Sequence, residues 1–475
     1  MKTISNCALA LALLIALTGF TTGRAHAQTL TSLYTFPGND GGQPIAGLVQ
    51  ATNGDFYGTT LYSTVNGFGG TVFKITPSGE PTIFSLGGIA YPEDGLIQAT
   101  NGDLYGTTQA GGTNGYGSVF KMSLTGALTT VYSFCSQGAY PNCADGYYPD
   151  DKLIQATNGD LYGTTTSGGA TGWGTIFRIT RNGTLTTLYS FCAQSGCTDG
   201  AQPVAGLVQA TNGDFYGTTE SGGANNGGTV FRVTADGALT TLHSFCSQTN
   251  CADGSAPSGL IQAANGDLYG TTLYGGASSI CGNAGTFFKI TPRGRLTTLV
   301  SFDCTYGDQP MSGVIQATDG NFYGTMYLGG ASGAGTVIKI TPGGEVTMVY
   351  SFTGGSDGGG PWGGLIQATN GDFYGTTEGG GANNGDGTVF SLSVGLGPFV
   401  ETQTTSGKIG AEVKILGTNL TGATSVFFND AEATFKVVSP SEIVTAVPTG
   451  AATGIVEVVT PSGVLNSNVV FTVTP

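Results

Sequence analysis

The sequence predicts an all-β protein, a seven-bladed β-propeller with four strands per blade followed by a small immunoglobulin-like β-sandwich. Three observations support this fold class. A hairpin-like phrase, LIQATNGDLYGTT at residues 153–165, recurs seven times along the chain, about every fifty residues, a period typical of propellers, solenoids and arrays. Each repeat alternates apolar and polar residues, as half-buried strands do. The repeat stops near residue 394, and short alternating segments of a different sequence follow.

Each repeat is predicted to contain four strands, which we call a to d. In the third repeat these are LIQAT, DLYGTT, GTIFRIT and LTTLYSF, starting at residues 153, 160, 174 and 185. The Asn-Gly pair between a and b predicts a two-residue type I′ turn. The seventh repeat lacks strand d, whereas a d-like phrase at residues 30–36 precedes the first repeat. Pairing that phrase with the seventh strand c would close the ring and remove both sheet edges.

The N-terminal segment predicts export. An apolar run from Cys7 to Phe20 follows Lys2 and precedes Ala25-His26-Ala27, a cleavage signal. This arrangement is typical of a cleaved signal peptide covering residues 1–27. The propeller is then expected at residues 28–394 and the sandwich at residues 395–475. The net charge of −15 becomes −17 when Lys2 and Arg24 are removed, which argues against nucleic acid or anionic membrane as a partner. We expect a monomer without a membrane span that is secreted, periplasmic or on the cell surface.

Two family resemblances accompany these patterns. Residues 30–394 resemble the secreted bacterial Gloeobacter/Verrucomicrobia tandem repeats, through the GLxQATNGDxYGTT hairpin and the GGTVFKIT segment. This resemblance implies no particular activity. Residues 398–475 resemble IPT/TIG immunoglobulin-like domains, through the segments GTNL at 417–420 and VPTGA at 447–451. That resemblance implies a binding or spacer module and no catalytic residue.

Residues that recur at one phase of every repeat are interpreted as structural. The tyrosine two residues after the turn Asp and the strand-c phenylalanine are predicted to fill the space between sheets. The turn Asp is predicted to bond local backbone. Candidate functional residues should therefore depart from the repeat pattern.

Loop lengths predict where such residues lie. The a–b and c–d turns are tight and share one edge of the ring, the turn rim. The b–c loops and the d-to-a connections are longer, vary between repeats and share the other edge, the loop rim, and loops on a rigid scaffold commonly carry binding sites. Off-pattern aromatic residues there suit sugar stacking or protein contact, although the alternative is that they cover the loops. The predicted binding residues are Tyr116, Tyr148, Trp173, Tyr274, Tyr306 and Trp362.

Eight cysteines remain after the signal peptide, all of them in loop-rim segments. Their positions within the repeats indicate four disulfides, and the oxidising environment outside the cytoplasm permits such bonds. Zinc is the alternative, but Cys-x4-Cys without a nearby histidine is a poor zinc motif. The predicted pairs are Cys135–Cys143, Cys192–Cys197, Cys246–Cys251 and Cys281–Cys304.

The remaining polar candidates are more typical of structural roles than of catalysis or metal binding. An Asp precedes most strands a, as a turn residue or, alternatively, a Ca²⁺ ligand. His243 replaces a tyrosine in a strand d and is expected to pack rather than catalyse. Glu220 and Glu378 occupy equivalent positions in repeats four and seven, nearly opposite in a seven-membered ring, which is a doubtful span for a glycosidase pair. The Asp residues are Asp40, Asp145, Asp199, Asp253, Asp308 and Asp357.

These observations predict a non-catalytic exported binding or scaffold protein whose loop rim binds a glycan or an extracellular protein. The immunoglobulin-like domain would act as a spacer or second contact. No catalytic residue, metal site or cofactor is predicted. The alternatives are a structural cell-surface repeat protein and a polysaccharide hydrolase or lyase.

Overall fold

The computed structural model describes residues 28–63, 69–87, 91–278, 282–382 and 385–474. Within these ranges the chain forms β-strands and two short 3-10 turns, Ser195–Cys197 and Thr249–Cys251. None of the helical segments found in them has the length and apolar character needed to cross a membrane. The predicted signal peptide, residues 1–27, lies outside the described residues.

The repeats form four-stranded antiparallel sheets, seven among the described residues, each ordered a–b–c–d. The a strands are Val49–Gln50, Ile97–Gln98, Ile154–Gln155, Val208–Gln209, Ser255–Gln262, Val314–Gln316 and Ile366–Gln367. The b strands are Phe56–Thr60, Leu104–Thr108, Leu161–Thr165, Phe215–Thr219, Leu268–Tyr274, Phe322–Met326 and Phe373–Thr377. The c strands are Thr71–Ile75, Ser118–Met122, Thr175–Ile179, Thr229–Val233, Thr286–Ile290, Thr336–Ile340 and Thr388–Ser393. The d strands are Pro81–Ser85, Leu128–Ser133, Leu185–Ser190, Leu239–Ser244, Leu296–Ser301, Val346–Ser351 and, for repeat seven, Thr29–Thr35.

The N-terminal strand completes the sheet of the seventh repeat, as the sequence predicts. Thr29–Thr35 pairs antiparallel with Thr388–Ser393, with Leu30 opposite Leu392. The first strand of the described chain therefore lies beside the last strand of the repeats, and the seventh sheet has the same four strands as the others.

A circuit of hydrogen bonds links each repeat to the next. The glutamine at the end of each strand a accepts a hydrogen bond through its Oε1 atom from a backbone N–H of the preceding repeat. The last bond, from Thr369 N to Gln50 Oε1 at 3.0 Å, joins repeat seven to repeat one. The others are Thr52–Gln98, Thr100–Gln155, Thr157–Gln209, Thr211–Gln262, Ala264–Gln316 and Thr318–Gln367, at 2.8–2.9 Å.

The segments that open the a strands lie against one another. A Cβ atom added at Gly95 would lie 2.8 Å from the carbonyl oxygen of Gly47, and one added at Gly47 would lie 3.3 Å from that of Gly364. Repeats seven, one and two therefore approach one another closely through backbone at this point. Lys152 occupies the equivalent position in repeat three, where six repeats have glycine.

The hairpin turns differ from the predicted type I′ turn. Gly54 has positive φ whereas Asn53 does not, and the Ala51 N–H donates to the Asp55 carbonyl oxygen at 2.9 Å. This is a three-residue loop with glycine in the left-handed region. Asn53 bonds instead through its side chain, accepting from the Asp55 N–H at 3.2 Å and donating to the Tyr57 hydroxyl at 3.0 Å.

The repeated tyrosines fill the space between sheets, which confirms their structural interpretation. All seven are at most 3 % exposed. The Tyr162 ring stacks on Phe215 of the next repeat with centroids 4.2 Å apart, and Tyr374 of repeat seven stacks on Phe56 of repeat one at 4.0 Å.

The turn Asp makes a different contact from the one predicted. Its carboxylate reaches across to a basic residue of strand c, as in Asp55 and Lys74 with Oδ2 and Nζ 3.4 Å apart, rather than bonding only local backbone. Repeat six exchanges the two turn residues, and Lys339 there pairs with Asp319 at 3.1 Å. The same pairing occurs in Lys121–Asp103, Arg178–Asp160, Arg232–Asp214 and Lys289–Asp267.

The C-terminal segment forms two four-stranded sheets around its own core. One sheet contains Glu401–Thr402, Glu412–Leu416, Glu442–Ala446 and Phe435–Ser439 in spatial order. The other contains Ala431–Ala433, Ser425–Phe428, Val456–Thr460 and Gly463–Asn466. Ser406–Lys408 and Thr472–Thr474 form a parallel pair. Val413, Val426, Ile443 and Val458 are among the buried core residues.

This C-terminal domain rests on the turn rim. Ser441 Oγ donates to the Thr52 carbonyl oxygen at 2.7 Å, and Gln403 Nε2 donates to Gln98 Oε1 at 2.8 Å. The Phe399 N–H donates to the Thr369 carbonyl oxygen at 3.0 Å. Because these contacts involve repeats one, two and seven, part of the turn rim is covered by the chain itself.

Three of the four predicted disulfides are present: Cys135–Cys143, Cys192–Cys197 and Cys246–Cys251. The fourth, Cys281–Cys304, cannot be described because Cys281 lies outside the described residues. The b–c loops bond to the bridged segments, as in the Gly223 N–H and the Cys197 carbonyl oxygen at 2.9 Å. The two classes of loop therefore meet at the loop rim.

Removing one bridge should measurably lower stability. We expect the Cys192→Ser, Cys197→Ser double variant to lose about 2–3 kcal/mol of unfolding free energy, because the bridge restricts the unfolded chain. Urea denaturation would measure the loss, and peptide mapping without reductant should find the two cysteines of the parent protein linked. Free thiols at these positions would contradict the assignment.

Candidate functional site at the loop rim

The aspartates that precede the a strands are internal hydrogen-bond acceptors. Asp145 is fully buried and accepts hydrogen bonds from the Tyr132 hydroxyl at 2.8 Å and from the Ser136 and Gln137 N–H groups. No group of three or more His, Cys, Asp or Glu in the described ranges is arranged to hold a metal ion. Equivalent pairs are Tyr34–Asp40, Tyr189–Asp199 and Tyr350–Asp357.

His243 takes the place of tyrosine in this arrangement. Its Nε2 atom lies 3.1 Å from Asp253 Oδ2, and its ring packs edge-on against Phe245. Burial alone would raise the pKa of Asp253, but hydrogen bonds from Ser247, Gln248 and His243 lower it. The histidine therefore serves the same packing and bonding role as the tyrosines.

A pair of substitutions tests this role of His243. We expect His243→Ala to lose about 1–3 kcal/mol of unfolding free energy, because a buried carboxylate loses a partner. His243→Tyr restores the residue used by other repeats and should stay within about 1 kcal/mol of the parent protein. Urea denaturation of the two variants would measure both. Equal losses in the two variants would contradict the packing interpretation.

A cluster of four tyrosines lies at the loop rim between repeats two and three, and we call it the tyrosine patch: Tyr116, Tyr140, Tyr147 and Tyr148. The Tyr116 and Tyr140 rings stack nearly parallel, 4° apart in plane and 4.8 Å between centroids. Tyr147 contacts Tyr140 and Tyr148 edge-on at 5.5 and 4.9 Å. Tyr140 is 53 % exposed, so the patch presents an aromatic face to solvent.

Covalent and backbone contacts hold the patch in place. The Cys135–Cys143 disulfide closes the loop that carries Tyr140, and this loop contains a small hairpin of Gly138–Ala139 and Asn142–Cys143. The Tyr148 N–H donates to the Tyr116 carbonyl oxygen at 3.1 Å. The d-to-a connection and the b–c loop of repeat two therefore form one surface.

Four carboxylates lie in the segments that precede the a strands of repeats two and three, and sequence reasoning missed them. They are Glu93 and Asp94 in repeat two and Asp150 and Asp151 in repeat three, each directly after the proline that opens the segment before strand a. A comparison of the repeats at this position would have revealed these acidic residues from the sequence. The equivalent pairs elsewhere are apolar or small: Ile45-Ala46, Val204-Ala205, Met311-Ser312 and Trp362-Gly363. Asp150 is linked to the patch by the Thr166 hydroxyl, which contacts both Asp150 Oδ2 and the Tyr148 carbonyl oxygen.

The carboxylates differ in how well they are bonded. Asp94 Oδ2 accepts from the Lys152 N–H at 2.7 Å, which links repeats two and three. Asp151 accepts a short hydrogen bond from the Thr164 hydroxyl. Asp150 Oδ2 accepts from the Thr166 hydroxyl at 3.1 Å, and hydrogen bonds from Thr166 and Gln109 lower the pKa of this carboxyl.

Burial dominates the electrostatics of this cluster. It raises the pKa of Asp150 to about 8, with the negative charge of Glu93 adding to the rise. Burial also raises the pKa of Glu93, Asp94 and Asp151. Lys152 lowers the pKa of Asp94, and no other cation in the described part of the chain lowers the pKa of any of the four. Asp150 is therefore mostly protonated, and uncharged, at neutral pH.

The structure brings together two of the six predicted binding residues, Tyr116 and Tyr148, in the tyrosine patch. Trp362 follows the proline of repeat seven, at the phase of Glu93 and Asp150, and packs edge-on against Tyr327 at 5.2 Å. Trp173 and Tyr274 are 45 % and 40 % exposed in separate loops. Tyr306 is partly buried against the core of repeats five and six.

Two surface depressions lie elsewhere on the loop rim, with volumes of about 460 and 430 Å³. The first is bordered mainly by glycines, among them Gly354 and Gly380. The second lies beside the 3-10 turn Thr249–Cys251. Neither is lined by a carboxylate or an aromatic ring, so the tyrosine patch and its carboxylates are the better candidate site.

Sequence comparison decides the family. The sequence profile of the Gloeobacter/Verrucomicrobia repeat matches residues 19–144, 141–313 and 278–427. The chain belongs to the Gloeobacter/Verrucomicrobia repeat family. An IPT/TIG domain profile matches residues 398–473, so both resemblances predicted from sequence are confirmed. None of the curated protein sequences matches this repeat protein.

Several solved structures share the fold of this Gloeobacter/Verrucomicrobia repeat protein. A streptogramin B lyase is 17 % identical with a TM-score of 0.51, covering 77 % of this chain and 97 % of its own. An inactive variant of virginiamycin B lyase from Staphylococcus aureus, solved with quinupristin, is 14 % identical with a TM-score of 0.51, covering 77 % and 99 %. A fungal AA5-family alcohol oxidase with copper is 13 % identical with a TM-score of 0.53, covering 94 % and 99 %. At these identities the likeness is one of fold alone.

Proposed function

We propose that this protein is an exported, non-catalytic binding or scaffold protein whose loop rim binds a glycan or an extracellular protein. The observation that carries the proposal is the exposed, stacked tyrosine patch at the loop rim, next to carboxylates that the repeat pattern does not require. Aromatic residues with polar groups beside them are typical of binding surfaces. The C-terminal domain occupies part of the opposite rim.

The proposed scaffold is a seven-bladed β-propeller at residues 28–394, followed by an immunoglobulin-like domain at residues 395–475. Support comes from the circuit of glutamine hydrogen bonds, in which repeat seven bonds to repeat one. The pairing of the N-terminal strand with the last strand c supports it further. A rigid ring suits binding because its loops are held in fixed positions.

We place the mature protein outside the cytoplasm, as a monomer that is secreted, periplasmic or on the cell surface. Three loop disulfides support this location, because such bonds persist in oxidising compartments. The predicted signal peptide at residues 1–27 is consistent with it. The IPT/TIG domain would serve as a spacer or a second contact.

A glycan array combined with a reducing-sugar release assay tests this function. We expect binding without release. The predicted contact residues add a check, because Trp173→Ala or Trp362→Ala should weaken binding if the rim aromatics around the ring contribute. Release of sugar by the parent protein would overturn the proposal, and silence in both assays would overturn its glycan form.

A polysaccharide hydrolase or lyase is the second candidate. The observation that favours it is the raised pKa of Asp150, about 8, beside other carboxylates, since paired acids with separated pKa values perform acid–base work. Release of reducing sugar that is abolished by Asp150→Asn would support this candidate instead. Glu220 and Glu378, the pair considered from sequence, belong to separate loops, and Glu378 bonds the Tyr327 hydroxyl.

A further inference from the structure

A second group of side chains at the loop rim, which we call the tryptophan site, contains Tyr327, Trp362 and Glu378. The Tyr327 and Trp362 rings stand nearly perpendicular, 78° apart in plane and 5.2 Å between centroids. The Tyr327 hydroxyl donates to the Glu378 carboxylate. All three residues are partly exposed. Two aromatic rings and a hydrogen-bonded carboxylate therefore share one surface between repeats six and seven.

A glycine makes this arrangement possible. The residue before the proline that opens the segment preceding strand a has positive φ in every repeat, and repeat seven has Gly360 there, with φ 62°. A Cβ atom added at Gly360 would lie 3.0 Å from the Tyr327 ring and 3.7 Å from Glu378 Oε2. A longer side chain would therefore push the ring away from the carboxylate. The other six repeats carry a side chain at this position: Gln43, Tyr91, Tyr148, Gln202, Ala256 and Gln309.

A second glycine leaves space beside the carboxylate. A Cβ atom added at Gly379 would have no atom of the described residues within 4 Å, apart from its chain neighbours. In repeat four the equivalent space is occupied, because Ser221 Oγ donates to Gln202 Oε1 at 2.9 Å. Two backbone hydrogen bonds between Gly359 and Gly379, 2.9 and 3.1 Å long, hold the glycine segments together. The space beside Glu378 is therefore held open by bonded backbone and is available to a ligand.

Repeat four lacks this combination although it has an acid at the same position. Glu220 is equivalent to Glu378, whereas Val204 stands where repeat seven has Trp362. Glu220 therefore provides a matched reference for the contribution of Glu378.

The donors and acceptors at the tryptophan site favour a neutral sugar. An ionised carboxylate only accepts hydrogen bonds, and an indole N–H only donates. Sugar hydroxyls do both, and the apolar face of a pyranose ring packs on an aromatic ring. An ammonium group only donates, and an anionic group would be repelled, because none of the ion pairs in the described part of the chain gives Glu378 a basic partner. A neutral pyranose therefore matches both polar groups of the site.

We propose that the tryptophan site binds one neutral pyranose residue of a glycan. The sugar packs on the Trp362 ring and donates a hydroxyl hydrogen bond to Glu378. Tyr327 is a positioning residue that holds the carboxylate. This inference rests on the proposed function, because it adds a second contact, and names its sugar class, on the same loop rim as the tyrosine patch.

Tryptophan fluorescence of the mature protein tests the inference directly. The chain has two tryptophans, Trp173 and Trp362, so the Trp173→Phe variant reports on Trp362 alone. The neutral probes are cellohexaose and maltohexaose, and the charged probes are the β-1,4-linked hexamers of glucosamine and of glucuronic acid. We expect a saturable change in emission with a neutral probe, at a dissociation constant at least about tenfold below that of either charged probe, or ~1.4 kcal/mol.

Further substitutions in the Trp173→Phe protein locate the contact. Gly360→Gln should weaken neutral-sugar binding at least about tenfold, because the new side chain displaces Tyr327, and repeats one, four and six accommodate glutamine at this position. Glu378→Ala should weaken binding by a similar factor. Glu220→Ala, the equivalent change in repeat four, should leave it unchanged. Circular dichroism would verify that the variants fold.

The remaining outcomes separate this inference from the proposed function. Charged probes that bind as tightly as the neutral ones would overturn the neutral-sugar inference. The inference would also fail, and the proposed function would stand, if glycans bound on the array while Trp362 emission stayed constant or while Glu220→Ala weakened binding as much as Glu378→Ala. If no probe changes the emission and the array is silent, the inference and the glycan form of the proposed function both fail.

Discussion

Replacing Asp150 by asparagine should stabilise the protein at neutral pH and leave it nearly unchanged near pH 4. The carboxyl has a pKa of about 8 in the folded chain against an ordinary value of 3.8. Between these values the folded chain keeps a proton that the unfolded chain has lost, so stability falls as the pH rises. One pKa unit corresponds to ~1.4 kcal/mol, and we expect a difference on the order of a few kcal/mol at pH 8.

Urea denaturation at several pH values would measure this difference between Asp150→Asn and the parent protein. Glu93, Asp94 and Asp151 also have raised pKa values, so part of the parent's pH dependence should persist in the variant. Glu345→Gln is a matched control, since Glu345 is an exposed acid in the c–d turn of repeat six. A constant difference between variant and parent from pH 4 to 8 would contradict the buried-carboxyl account.

Replacing Tyr162 by alanine should be among the most destabilising single changes in the repeats. The side chain is fully buried, and its ring stacks on Phe215 of the next repeat. Removing it leaves a cavity between two sheets, and losses of about 3–5 kcal/mol are typical for such aromatic truncations. Urea denaturation would measure the effect.

Tyr162→Phe separates packing from hydrogen bonding. This variant keeps the ring and loses only the bond between the hydroxyl and Asn158, which is 3.1 Å long. We expect it to lose about 0.5–1.5 kcal/mol. If the phenylalanine and alanine variants lose the same free energy, the ring is not the element that joins the two sheets.

Most of the strand order is predictable from the sequence, because the repeat length and the alternation of apolar and polar residues are strong signals. The N-terminal strand could be assigned to the seventh sheet because its phrase matches strand d and the last repeat lacks one. The turn type was not predictable in the same way. Asn-Gly is compatible with two hairpin loops, and the choice depends on the side-chain bonds of Asn53 to Asp55 and Tyr57.

The candidate site was only partly predictable. Loop-rim aromatics stood out because they depart from the repeat, and Tyr116 and Tyr148 do lie together. The carboxylates were missed because Pro-Glu-Asp-Gly and Pro-Asp-Asp read as turn sequences, in which exposed acids are ordinary. Burial is what makes them unusual, and burial depends on the approach of neighbouring repeats, which no local pattern shows. Asp94 and Lys152, for example, are bonded across two repeats.

The central claim is that the loop rim of repeats two and three is the binding surface. The most direct test measures the dissociation constant of a glycan selected on the array for the parent protein, Tyr140→Ala and Glu345→Gln. The first variant changes the tyrosine patch, and the second removes a charge on the turn rim. We predict at least about tenfold weaker binding for Tyr140→Ala, or ~1.4 kcal/mol, and unchanged binding for Glu345→Gln. Unchanged binding for Tyr140→Ala would contradict the account.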